Sequence, residues 1–506
     1  MRYISTAGEI KEIEKYVINE IGIPSLVLME RAALCVTGHI KKRFDTKADI
    51  CVVCGAGNNG ADGVTIARQL MEEAYKVDIV ILGKKEKFST EMKIQCAILE
   101  KQGVRFRDKI PDKNYDCFVD AILGVGLTRE ITDEGILHAI DTINASDAYI
   151  YSVDLPSGIH TDKGCIMGNA VKADETITFT CEKVGLCLHP GKVYAGRVHI
   201  ENIGIWNSCI ERFGVSHYGY NEKAGAALLR RDESGNKGTF GKVAVIAGNN
   251  EITGAAVLCA GAVLKSGAGM VKVLSNEKTL DIIRKILPEA MVQSLDDKAA
   301  VTFNIRNAIE WADSIVIGPG IGTDDEAVLK MTAVLEDFPK EKCLIVDADG
   351  INLISQNKAL KELTEKVNSI IYTPHMMELS RLLNMTTDRL KADLDIVMKE
   401  NLEHSNVIFV CKDSVTRVYQ NKKPIFINRI GNSGMATAGS GDVLAGIIGA
   451  VTARRGMDIY EGTVLGVHLH SLAGDLAACE YGKNSLLASD IIEALPLTLK
   501  KMEEIL

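Results

Sequence analysis

Short apolar runs alternate with longer amphipathic stretches along nearly the whole chain, and the alternation breaks once, between 206 and 240. This pattern constrains the fold strongly. A parallel strand pair needs a long crossover, and the crossover residues form helices that cover the sheet. The first series predicts strands at 50–54, 77–82, 116–123, 149–155, 176–180 and 197–203. Helices are expected between them at 61–74, 89–102 and 133–146, with two more in front at 6–20 and 25–43. The second series predicts strands at 242–247, 270–274, 290–295, 314–317, 342–347, 369–373 and 406–411. A hairpin around Gln420 and Asn421 joins 415–420 to 424–428. A short helix at 222–230 opens this half, and helices near 440–454, 459–480 and 489–503 close it. The expected fold class is α/β, with two three-layer α/β/α domains at 1–210 and 220–506. The glycine motifs of the halves differ, so the alternation is not a duplication.

Composition removes several function classes. With 46% hydrophobic and 25% charged residues over 506 positions, the chain buries ample core and is not a disordered tail. A net charge of −9 argues against a nucleic-acid partner, which calls for a basic face. The uncharged apolar runs at 255–264 and 443–453 are shorter than the ~20 residues of a membrane span, so no membrane partner is expected. Residues 1–20 lack the apolar core of a secretory leader, which predicts a cytoplasmic protein with reduced thiols. Cys51 and Cys54 fall on opposite faces of one strand, and His468 and His470 on different faces of one helix. The cysteines have CxxC spacing, but a strand keeps them from converging, and no HExxH-type spacing surrounds the histidines, so neither pair is read as a metal site.

The chemistry gathers where strands run into glycine-rich turns. In an open parallel sheet, ligands bind beyond the carboxyl ends of the strands, and helix N-termini there favour anions. The first such turn, GAGNNGADGVTIARQL at 55–70, carries Asn58, Asn59 and Asp62. Asp120 precedes the second, GVGLTRE at 124–130, and the third, SVDLPSG at 152–158, carries Asp154 and Ser157. Asp120 and Asp154 are candidate acid/base or cation-binding carboxylates. These turns, together with IPSLVLMERAA at 23–33, resemble the YjeF N-terminal family, the NAD(P)H-hydrate epimerases. That resemblance implies a Rossmann-like domain that interconverts the C6 epimers of hydrated NADH and NADPH. It implies nucleotide contacts at Asn58, Asn59, Gly60, Ala61 and Asp62, and at Gly124, Val125, Gly126, Leu127, Thr128, Arg129 and Glu130. It further implies a potassium ion on Asn59, Asp120 and Ser157, with Asp154 as the acid/base residue. Ala61 stands where that family's motif carries glycine.

In the second half, NSGMATAGSGDVLAGIIGAV at 432–451 runs a glycine-rich loop into a helix that begins beside Asp442. Amides at the loop can hold an anion, and Asp442 can act as general base on a hydroxyl. The turn resembles the ribokinase-like superfamily. KGTFGKVAVIAG (237–248), GPGIG (318–322), VDADGIN (346–352), TPHMMEL (373–379) and VCKDSVT (410–416) narrow the resemblance to the ADP- or ATP-dependent NAD(P)H-hydrate dehydratases. It implies that Ala255, Gly322, His375 and Asp442 contact the hydrated nucleotide. Lys412, Asp413, Ser414, Val415 and Thr416 would hold ADP or ATP, together with Asn432, Ser433, Gly434, Met435, Ala436, Thr437, Ala438, Gly439, Ser440 and Gly441. Asp413 stands where the family has glycine. Mg²⁺ is expected with the nucleotide. The implied partners are NADHX and NADPHX, the hydrated coenzymes, together with an adenine nucleotide in a homo-oligomer. The alternative is a ribokinase-like small-molecule kinase with a non-catalytic nucleotide-binding N-terminal module.

Overall fold

The computed structural model describes residues 1–221, 224–403 and 406–505. The chain forms two compact units, Arg2–Tyr218 and Gly219–Leu506. Both are α/β.

In the first unit six parallel strands lie in the order Lys76–Ile81, Asp49–Cys54, Cys117–Ala121, Tyr149–Val153, Glu175–Phe179, Arg197–Glu201. The order reverses between Asp49–Cys54 and Cys117–Ala121, which is the switch point where open α/β sheets bind ligands. Helices cover both faces. Cys51 packs in the core on one face and Cys54 in the core on the other, as expected for an odd spacing on a strand. Strands end earlier than the apolar runs suggest. Ile122 and Leu123 are apolar but already belong to the turn, as do Asp154 and Leu155. The turns approach each other closely at the switch point. A Cβ on Gly55 would lie 2.0 Å from the Ile122 carbonyl oxygen, and one on Gly60 would lie 1.9 Å from that of Gly55. Only glycine fits either place.

The second unit has seven parallel strands in the order Met291–Ser294, Met270–Ser275, Lys242–Ile246, Ser314–Ile317, Cys343–Val346, Ile370–Tyr372, Ile408–Cys411. Arg417–Tyr419 and Ile425–Ile427 extend it antiparallel, the hairpin expected around Gln420. The reversal falls between Lys242–Ile246 and Ser314–Ile317. The short helix expected at 222–230 lies partly outside the described residues, and within them a 3₁₀ turn spans Ala226–Leu229. On one face of the sheet, the small-residue helix Gly254–Lys265 packs against Ser440–Thr452. A Cβ on Gly446 would lie 2.3 Å from the Cys259 carbonyl oxygen, so the glycine permits this close approach. No described helix is long and apolar enough to cross a membrane.

Gly318 shows how the second site depends on backbone proximity. Its φ is +125°, and a Cβ would lie 1.9 Å from the Asp347 carbonyl oxygen. Gly318→Ala is expected to lose about 1–3 kcal/mol through backbone strain alone. Gly254→Ala, which meets nothing within 4 Å, serves as the control in urea unfolding.

Candidate active sites

In the first unit the turns after Asp49–Cys54, Cys117–Ala121 and Tyr149–Val153 meet at the switch point. Asp120, at the end of its strand, is fully buried. Its Oδ2 accepts from Ser152 Oγ and the Ser157 amide, both at 2.8 Å, and its Oδ1 accepts from Ser157 Oγ at 2.5 Å. The Ile122 amide donates to Oδ1 at 3.3 Å. Burial nonetheless pushes its pKa up. No basic side chain bonds it among the described residues. Asn59 stands against Gly124, and its Nδ2 is buried without a hydrogen-bond partner. The Asp120 carboxylate and the Ser157 hydroxyl supply oxygen here, and Asn59 can add its Oδ1, whereas its unpartnered Nδ2 is a donor that would have to face away from a cation. Oxygen donors of this kind suit a hard cation.

Asp154 begins the third turn with φ +69°, a left-handed conformation that costs a non-glycine residue energy. Its Oδ1 accepts from Lys183 Nζ at 2.5 Å and from Thr178 Oγ1 at 2.9 Å. The fully buried Lys183 spends its other donors on Thr178 Oγ1 and the Phe179 carbonyl. Asp154 Oδ2 has no partner among the described residues. Two further carboxyls surround this pair. Asp62 is pushed well above the usual range by burial, then by Asp154, Glu14 and Glu91. Glu14, on the helix Ala7–Tyr16, rises to about 6 through burial, tempered by Lys183 and then raised by Asp154. Glu14, Thr178 and Lys183 were not singled out from the sequence. The other expected contacts divide by exposure. Asn58 and Gly126, Thr128, Arg129 and Glu130 are exposed, while Gly124, Val125 and Leu127 are half-buried. Gly60 and Ala61 are buried, and the Ala61 methyl packs into the core rather than toward solvent.

In the second unit Gly439, with φ +86°, opens the helix Ser440–Thr452, and no side chain caps it. The Ser440 amide donates to the Thr437 carbonyl at 3.3 Å, which leaves the Gly441 and Asp442 amides for an anion. Half-buried Asp442 sits in that first turn. Burial first, then Asp347, raises its pKa to about 7, against the lowering effect of Lys412. Asp347 is buried and accepts from Lys412 Nζ at 2.9 Å and Thr373 Oγ1 at 2.6 Å. A Cβ on Gly441 would lie 3.3 Å from Lys412 Nζ, so this ammonium stands at the helix mouth. Burial works against its charge, but Asp347 and Glu378 outweigh it and hold its pKa high. Asp349 Oδ2 accepts from the Gly322 amide at 3.0 Å, fixing the turn after Ser314–Ile317.

His375 caps the helix Met376–Leu383. Its Nδ1 accepts from the Met377 and Glu378 amides at 3.1 and 3.2 Å, which leaves a half-exposed ring. Asn432 is fastened by Asp475 Oδ1 at 2.9 Å, while Asp475 Oδ2 accepts from the Gly431 amide. Ser433, Gly434, Met435, Ala436, Thr437 and Ala438 carry the chain from there to Gly439. His470 Nε2 lies 3.3 Å from Ser440 Oγ, and burial lowers its pKa to about 4. Ala255 and Val415 are buried, whereas Asp413 and Ser414 are exposed and Thr416 is half-buried. Sequence reasoning did not assign Asp347, Asp349 or Asp475 a place. Within VDADGIN, Asp347 directly follows the strand Cys343–Val346 and Asp349 opens the next helix, so the same carboxyl-end rule points to both.

Comparison with known proteins supports both halves. The family described as YjeF-related protein N-terminus matches residues 25–185, and NAD(P)H-hydrate dehydratase matches 243–497. The bifunctional NAD(P)H-hydrate repair enzyme of Moorella thermoacetica is 33% identical, covering 99% of this chain and 97% of its own. That of Escherichia coli K12 is 30% identical, covering 97% and 92%. A solved ribokinase-like superfamily protein from Enterococcus faecalis is 30% identical with a TM-score of 0.50, covering 57% of this chain and 96% of its own.

Proposed function

From the premise that the chain belongs to the bifunctional NAD(P)H-hydrate repair enzymes, we propose that its first unit interconverts the epimers of hydrated NADH and NADPH. Its second unit dehydrates the S epimer at the expense of ADP or ATP. The observation that carries this reading is Asp442, a carboxyl with a pKa near 7 at an uncapped helix mouth beside Lys412.

Hydroxide leaves carbon poorly, so the hydrate needs a better leaving group at C6. Asp442 takes the C6 hydroxyl proton as that oxygen attacks the terminal phosphorus of the nucleotide, supplied as its Mg²⁺ complex, and the terminal P–O bond breaks to release AMP from ADP or ADP from ATP. The first-turn amides and Lys412 meet the charge on the transferring phosphoryl group. The ring nitrogen lone pair of the tetrahydropyridine then expels phosphate as the C6–O bond breaks, and loss of the C5 proton restores the dihydropyridine of the reduced coenzyme. A general base that titrates near neutral pH is matched to this task.

In the first unit Asp154, paired with Lys183, takes the C6 hydroxyl proton through Oδ2 and passes it to the ring nitrogen as the C6–N bond breaks to an open aldehyde. The nitrogen then adds to the opposite face of the aldehyde, and its proton returns to the C6 oxygen through Asp154. Asn59, Asp120 and Ser157 fit a potassium ion, with Asp120 supplying the counter-charge. When bound, the cation neutralises that buried carboxylate and fixes the turns that hold the nucleotide.

Incubating the protein with mixed NADHX epimers and ADP or ATP tests the reading. Complete recovery of the reduced-nicotinamide absorbance with release of inorganic phosphate is expected. A stable phosphorylated product instead identifies a small-molecule kinase.

The dehydration rate should rise with pH through about 7 as Asp442 ionises. Asp347→Asn removes an anion that raises the Asp442 pKa and leaves Lys412 to lower it, so the acid limb should move to lower pH. An upward or absent shift contradicts the electrostatic account.

A further inference from the structure

Away from the switch point of the first unit, two histidines and two glutamates converge where the helix Ser25–Arg43 covers the sheet. His39 lies on that helix, Glu175 begins the strand Glu175–Phe179, and His199 and Glu201 lie on the edge strand Arg197–Glu201. One ligand atom each from His39, Glu175 and His199 lies within 4.8 Å of the others.

The hydrogen bonds prepare these atoms for a metal. His39 Nε2 lies 2.9 Å from Glu201 Oε1. A carboxylate only accepts, so Nε2 carries the proton and the Nδ1 lone pair is left facing Glu175 Oε2 at 3.8 Å. His199 Nε2 is buried 3.0 Å from the same oxygen, without a well-directed hydrogen bond among the described residues. The other oxygen of Glu175 accepts from Tyr149 Oη at 2.7 Å, which fixes the carboxylate plane. Two ring nitrogens and one carboxylate oxygen thus face a common point. Glu201 and Tyr149 orient them from behind, the arrangement that supports metal-bound histidine.

We propose that His39 Nδ1, His199 Nε2 and Glu175 Oε2 bind a divalent transition-metal ion, Zn²⁺ above others, with water completing the shell. Nitrogen and carboxylate donors suit Zn²⁺, whereas Mg²⁺ and Ca²⁺ prefer all-oxygen shells. The ion clamps the covering helix to the edge strand. It is separate from the cation nest at Asp120, because the three ligands come from the helix and strand segments named above and none from the glycine turns.

The full-length protein, stripped with a chelator and held in Mg²⁺-containing buffer, is titrated with Zn²⁺ against a competing chelator. A parallel titration with Co²⁺ is followed by its visible bands. One tight ion per chain is expected, with no thiolate charge-transfer band. His39→Gln and His199→Gln should abolish this binding, whereas Glu201→Gln should keep the stoichiometry and weaken affinity about 10–100-fold. Zn²⁺ should raise the unfolding temperature of the wild type and not that of either histidine variant. Melting of the metal-free variants near the metal-free wild type shows that they fold. If either fails to fold, Glu201→Gln alone decides through its affinity change. Absence of tight binding, unchanged binding in His199→Gln, unchanged affinity in Glu201→Gln or a thiolate band would overturn the proposal.

Discussion

Asp442→Asn is expected to lower nucleotide-dependent dehydration by about 10²–10⁴-fold, the range lost when a general base is removed. Nucleotide affinity should change little, because the phosphate-facing groups at the helix mouth are main-chain amides and Lys412. The variant should remain folded. Burial and Asp347 raise the Asp442 pKa to about 7, which means the folded state favours the protonated form. The stabilisation this provides is full below the unfolded-state pKa and is lost as pH rises through about 7. A neutral asparagine avoids the buried charge, so at pH 8 the variant should melt no lower than the wild type. Epimerisation should proceed at its normal rate, since its residues belong to the other unit. Loss of one activity with retention of the other and of the fold separates catalysis from structure.

Asp154→Asn is expected to remove epimerisation above the spontaneous background, again by about 10²–10⁴-fold. With ADP and a functional second unit, mixed epimers should convert rapidly only to the fraction that the dehydratase accepts. The remainder should follow at the spontaneous rate. Asparagine is the suitable replacement because it tolerates the left-handed backbone that Asp154 adopts at φ +69°. The substitution strands the buried charge of Lys183, and breaking a buried ion pair costs about 3–5 kcal/mol. Asp154→Asn with Lys183→Met removes both charges and should recover stability without recovering activity. Recovery of both would mean that Asp154 serves structure alone.

The residues legible in the sequence are those at strand-to-helix turns. Asp120, Asp154, Ser157 and Asp442 each stand beside glycines whose spacing marks the carboxyl end of a strand or the mouth of a helix. Lys183 gives no such signal. It shares a two-residue strand with Glu182, outside any glycine turn, and only the fold brings it to Asp154. Glu14 reads as one more charge on an amphipathic helix. His39 and His199 were invisible to ligand-spacing patterns because one comes from a helix and the other from a strand far along the chain. Strand ends were overrun because turns such as Ile122 and Leu123 continue the apolar pattern after pairing stops. Asp347 was within reach, since it follows its strand as Asp154 does, but its bond to Lys412 depends on tertiary structure.

The route of the C6 oxygen tests the central claim most directly. The S epimer, labelled at the C6 oxygen by hydrating NADH in oxygen-labelled water, is turned over by the Asp154→Asn variant, so that epimerisation does not exchange the label, with unlabelled nucleotide in unlabelled water. If the hydroxyl is phosphorylated and leaves as phosphate, the label must appear in inorganic phosphate, one atom per turnover. Unlabelled phosphate, with the label released to water, would show that nucleotide cleavage and dehydration proceed without phosphoryl transfer to that hydroxyl, and the role assigned to Asp442 would be wrong.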